Sequence, residues 1–124
     1  MTSRKHYSWC WTSCVRLNLV AAAEAISFAR HLDVNLVQFY GLTCEAAGAS
    51  QQFIKNGVVM IEGKPGNKSQ TVDKIVSQLE AVAQRARDLH CPLHLGNAAL
   101  NQLLFAQRAG LGGEASTNVI KIWH

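Results

Sequence analysis

The chain has 124 residues, of which 48% are hydrophobic, 7% aromatic and 16% charged. That length holds one domain with a real core, cannot fit a dinucleotide-binding domain beside a substrate domain, and is too apolar for disorder. The formal charge of +4 is spread from Arg4 to Lys121 with carboxylates interspersed after Glu24 and no aromatic interleaving, which excludes a nucleic-acid stacking platform.

The elements in chain order are helical. Val15 to Leu32 is rich in good helix formers without Gly or Pro. Leu17, Val20, Ala21, Ala23, Ala25, Ile26 and Ala29 leave it few polar positions, so it is expected to be buried on more than one side. Its longest apolar run, Leu19 to Ala23, stops at Glu24, far short of the roughly 20 residues of a membrane span. Asp33 is a candidate cap for the next helix, with Gly48 as its left-handed terminator. Ser50 can cap a short segment that ends at the turn dipeptide Asn56-Gly57. Residues 57–70 read as a loop, with a short strand at Val58–Ile61.

The clearest helix follows, capped by Thr71 or Ser69. Val72, Ile75, Val76, Leu79, Val82, Ala83, Ala86 and Leu89 form one apolar stripe, and Arg85 and Arg87 suit its C-terminal dipole. His90-Cys91-Pro92 breaks it. Another helix is expected over 94–109, stopped by Gly110 and Gly112-Gly113, and a short one ends the chain. The spacing predicts a single all-α bundle.

Motifs that carry chemistry are scarce. No Gly-x-Gly-x-x-Gly occurs, and the Gly57 to Lys64 stretch fails as a phosphate loop because its spacing is one residue too long and Pro65 stands where Ser or Thr is needed. His6, Cys10 and Cys14 fall at i, i+4 and i+8, on one stripe of a helix, but structural zinc needs four ligands, so no metal site is assigned. The four cysteines are too sparse for a disulfide-stapled secreted scaffold. Arg16 and nearby polar residues interrupt any secretory apolar core, so an intracellular setting is expected. The acid-free first 23 residues have a weak transit-peptide character, and the cytoplasm is preferred to the mitochondrion.

Two long stretches resemble the C-terminal helical domain of the β-hydroxyacid dehydrogenase family, 3-hydroxyisobutyrate dehydrogenase and its relatives. They are Leu19 to Gly63 and Thr71 to Trp123. The shared features run in order: Glu24-Ala25 on a long Ala-rich helix, the turn Gly48-Ala49-Ser50, Pro92-Leu93 after an amphipathic helix, and Ala109-Gly110-Leu111-Gly112. The likeness is closest to the dehydrogenase-like segments of plant and fungal fusions with class II aldolase-like domains. Residues 15–124 carry it, and residues 1–14, with Trp9, Trp11, Cys10 and Cys14, form an atypical N-terminal segment.

The resemblance implies a domain that closes over NAD or NADP bound by a separate Rossmann domain. It also implies a catalytic lysine with an asparagine one turn later, and a second Lys-Asp pair near substrate and nicotinamide. Counted from Glu24-Ala25, the first two positions fall on Ser8 and Thr12; counted from Pro92-Leu93, the pair falls on Ser77 and Gln78. Gln51 replaces the aromatic that commonly follows the Gly-x-Ser turn, and Lys5 lies three residues out of register. Serine and glutamine hydrogen-bond but supply no titrating ammonium. The chain alone is therefore expected to lack hydride transfer, to face cofactor through Ser77 and Gln78, and to bind it weakly. Its expected partners are a second copy of itself or a Rossmann domain, and neither nucleic acid nor membrane. The rival expectation is a helical dimerisation or interaction module without ligand chemistry.

Overall fold

In the computed structural model, which describes residues 4–123, the first helix is longer than the sequence predicts. Helix α1 spans Arg4–His31, 28 residues, and takes in residues 4–14. No glycine or proline interrupts that stretch, and its last turn carries Arg30 and His31, which favour the C-terminal dipole. Helix α2 (Leu36–Cys44), α3 (Gln51–Glu62), α4 (Val72–Asp88) and α5 (His94–Ala106) follow. A π-helical turn at Gln107–Leu111 and a 3-10 helix at Ser116–Trp123 end the bundle.

The all-α expectation holds: the described residues contain no strand, only an isolated bridge between Thr71 and Ala115. α1 is the central element, packed against α3, α4, α5 and the 3-10 helix. Leu19, Ala23 and Ile26 on it are fully buried with Val72, Ile75, Leu103 and Val119. Each large aliphatic side chain so buried contributes about 1.5–3 kcal/mol. Burial takes in more than one side of α1, but Ala21, Glu24, Ala25 and Phe28 stay exposed.

Several local expectations are corrected. Asn35, not Asp33, caps α2: its side chain accepts from Gln38 N at 3.0 Å, while Asp33 itself takes the left-handed conformation that ends α1. Gly48 is not a left-handed terminator, because α2 already ends at Cys44 with Glu45 as its cap. Asn56-Gly57 makes no turn. α3 passes through both and stops at Gly63, whose φ of 67° is the left-handed one. Gly57 is buried there beside the Tyr40 ring, and Val58–Ile61 is helical, with Met60 turned into the core. Tertiary packing has overridden a local turn signal.

Other expectations stand. Ser50 caps α3 by accepting from Phe53 N, and Thr71 caps α4 by accepting from Lys74 N. α4 ends before His90, and Gly110 (φ 90°) lies where the last long helix gives way. No helix among the described residues is long and apolar enough to cross a membrane.

Candidate functional site on the α1–α4 face

Ser8, Thr12 and Arg16 sit on successive turns of α1, four residues apart, on one slowly rotating stripe. α4 lies against this stripe and runs the other way, so Trp9 meets Arg85 near one end and Arg16 meets Gln78 further along. Of the positions singled out in the sequence, Ser8 and Ser77 are exposed, and Thr12 and Gln78 are half-buried. The structure brings Gln78 into the α1 stripe through Arg16; Ser77, one residue round α4, faces outward.

Arg16 is the residue that pattern reading missed. It is 7% exposed, on the side of α1 that meets α4. Its Nε and Nη2 donate to Gln78 Oε1 at 3.3 and 2.9 Å, and Nη2 also donates to Gln70 Oε1 at 3.1 Å. Neutral amide oxygens thus hold the guanidinium where a carboxylate would be usual, and Nη1 has no hydrogen bond among the described residues. Burial pushes its pKa below the ordinary arginine value, yet guanidinium stays protonated at any ordinary pH. A fixed positive charge therefore stands between the stripe of Ser8 and Thr12 and the turn of Ser77 and Gln78. The available signal was a lone arginine inside the apolar run Val15 to Val20.

Toward the start of α1, a cleft of about 570 Å³ opens between that helix and the C-terminal half of α4. Its walls include His6, Trp9, Cys10, Arg85, Leu89 and Cys91. Two cations approach the Trp9 ring, Lys5 Nζ at 5.2 Å and the Arg85 guanidinium at 5.5 Å from its centroid. Arg85 Nε is buried without a hydrogen-bond partner. The helical stripe of His6, Cys10 and Cys14 is divided by this arrangement. His6 and Cys10 face the cleft, whereas Cys14 lines a groove beside α5. Among the described residues no group of three His, Cys, Asp or Glu side chains is close enough to hold a metal ion.

No protein-family model matches the chain. L-threonate dehydrogenase of Pectobacterium atrosepticum is 35% identical over 108 residues, which is 87% of this chain and 35% of that protein. L-threonate dehydrogenase of Escherichia coli K12 is 36% identical over 107 residues, 86% of this chain and 35% of the relative. The chain therefore spans about a third of the length of these curated relatives. A solved 3-hydroxyisobutyrate dehydrogenase from Salmonella typhimurium superposes with a TM-score of 0.90 at 32% identity, covering 94% of this chain and 41% of that one. The bundle matches that enzyme's helical C-terminal domain. The structure of Psf3 in complex with NADP+ and 2-OPP has a TM-score of 0.79 at 14% identity, over 96% of this chain and 41% of that one. At that identity the likeness is of fold alone.

Proposed function

We propose that this chain is the helical half of an NAD(P)-dependent hydroxyacid dehydrogenase-like protein, and that its α1–α4 face closes over cofactor and substrate held by a Rossmann domain. The observation that carries this reading is the superposition on 3-hydroxyisobutyrate dehydrogenase over 94% of the chain at 32% identity. The bound nicotinamide would supply the hydride chemistry. The chain's own donors fit an anionic ligand in part: the Arg16 charge on this face and the exposed Ser77 hydroxyl at its outer edge, one residue round α4, can bind and orient a carboxylate or phosphate. They do not fit proton transfer. Ser8, Thr12, Ser77 and Gln78 offer no ammonium at the positions where the family resemblance asks for one, so the chain excludes water and orients ligand but moves no proton.

A direct test is calorimetric titration of the purified chain with NADH and with NADPH. Weak saturable binding is expected, with a Kd of about 1 mM and a further loss in Ser77→Glu, which adds a charge opposed to phosphate. No turnover is expected with L-threonate or 3-hydroxyisobutyrate. Absence of saturable heat from both cofactors would overturn the cofactor-facing reading. A second reading, a helical interaction module derived from an enzyme, is favoured by the missing ammonium groups and would then stand.

A further inference from the structure

The cleft between the start of α1 and the C-terminal half of α4 lies apart from the positions that the family resemblance points to. None of Ser8, Thr12, Arg16, Ser77 and Gln78 lines it. Its wall is mostly apolar, built by Trp9 from α1, Val82 and Leu89 from α4 and its cap, and Leu93 beyond them. No carboxylate lines it. Its volume of about 570 Å³ is that of a cleft for a small organic molecule, roughly 300–1,000 Å³.

Arg85 brings charge to this wall, and it is held unlike its neighbours of the same kind. Arg16 donates to Gln70 and Gln78, and Arg87 donates to Gln84 Oε1 at 2.8 Å. The described residues give Arg85 neither a hydrogen bond nor an ion pair: it is half-buried over the Trp9 ring, and its Nε is buried without a partner. The ion pairs among the described residues, Glu62 with Lys64 and Glu114 with Lys121, lie elsewhere. Asp88, three residues along, already accepts from Gln84 Nε2 at 3.1 Å. A buried donor without an acceptor is rare in a folded chain and marks a partner still to be supplied. Lys5 Nζ, at the same ring, adds a second positive charge and no acceptor.

We propose that this cleft binds a small monocarboxylate with an apolar body, the carboxylate pairing with Arg85 and the body lying along Trp9, Leu89 and Leu93. Turning the guanidinium toward such a ligand breaks no hydrogen bond and no ion pair. It gives Nε the acceptor it lacks, because a carboxylate meets a guanidinium through two parallel hydrogen bonds. The apolar body displaces water from the aliphatic wall, and that burial is what adds affinity to the charge pairing. A polyhydroxylated acid such as L-threonate is disfavoured, since its hydroxyls would lose water against a wall that offers them few partners.

The proposal does not depend on cofactor binding and is tested apart from it, with 1-naphthoate as the probe and the whole 124-residue chain. Calorimetry should show one saturable site with a Kd of about 0.1–1 mM. 1-Naphthalenemethanol, which keeps the body without the charge, and L-threonate, which keeps the charge without the body, should each bind at least about 10-fold more weakly. Arg85→Met should weaken naphthoate by at least about 10-fold. Leu89→Glu should do the same with the melting temperature kept: the position is 61% exposed, and its carboxylate competes for Arg85 from four residues away. Ser77→Glu should leave naphthoate binding unchanged. Place is read by alkylation. Cys10 and Cys91 are exposed and line the cleft, whereas Cys14 is exposed outside it. Naphthoate at about ten times its Kd should slow N-ethylmaleimide labelling of Cys10 and Cys91 by at least about 5-fold and leave Cys14 unaffected, as resolved by peptide mapping. Absence of saturable naphthoate binding, equal binding of the alcohol or of L-threonate, an unchanged Kd in Leu89→Glu, a loss in Ser77→Glu, or unprotected Cys10 and Cys91 would each overturn the proposal.

Discussion

Arg16 concentrates what is unusual about the α1–α4 face. A buried guanidinium gains about 1.5–3 kcal/mol from each well-formed bond to a charge-accepting partner, but the desolvation of its charge offsets much of that. Cutting it back leaves Gln70 and Gln78 Oε1 without donors and opens a void. Arg16→Ala should therefore lower stability by about 2–3 kcal/mol in urea denaturation. Arg16→Met combined with Gln78→Leu should recover part of the loss, since it fills the volume and removes one of the two orphaned acceptors. A shift below about 0.5 kcal/mol in the single variant would mean that the guanidinium is solvated rather than held. The sequence made this residue hard to see for a physical reason. Helical periodicity scores an arginine as surface, and only the packing of α4 across α1 turns it inward, with partners 54 and 62 residues away in the chain. Ser77 and Gln78 could be located by counting from Pro92-Leu93, but counting cannot tell which of two adjacent residues faces α1.

At the scale of elements, the caps and the long stripe of α4 were legible because they depend on residues within one turn of each other. Ser50, Thr71 and Val72 to Leu79 needed no distant partner. α3 was not, because Gly57 looks like punctuation until Tyr40 and Ile26 are packed over it. A Cβ at Gly57 would meet Tyr40 Cε2 at 3.4 Å and Ile26 Cδ1 at 3.6 Å, ordinary contact distances. Gly57→Ala should then raise stability by about 0.5–1 kcal/mol, the gain of removing a mid-helix glycine. A lower melting temperature would show that Tyr40 cannot give way. The 3-10 helix makes a second prediction. Hydrogen bonds from Lys121 and then Asn118 hold the Glu114 carboxylate below its usual pKa. A depressed carboxylate stabilises above its unfolded pKa, and the stabilisation fades as pH falls through the folded value. The melting-temperature gap between wild type and Glu114→Gln should be steady from about pH 5 to 8 and should close below about pH 4. A gap independent of pH would place the effect in shape rather than charge.

For the whole molecule, α1 has two tasks that its sequence superimposes on one apolar run. The pattern from Val15 to Leu32 announced a helix with too little polar surface, and the structure divides that surface into a core side and a free side. Ile26 is fully buried, while Phe28, two residues on, is 65% exposed. Two residues amount to about 200° of helical rotation, which is why periodicity alone could not assign either to a partner. Ile26→Asp places an uncompensated carboxylate in the packed centre at a cost of several kcal/mol, comparable with the entire stability of a domain this size. It should abolish the cooperative melt at any protein concentration. Phe28→Asp puts the same charge on the exposed side of α1, where it stays in water. That variant should keep a cooperative melt and its helical signal, with stability within about 0.5 kcal/mol of the wild type. If Phe28→Asp unfolded the chain as Ile26→Asp does, the outer side of α1 would belong to the packed fold.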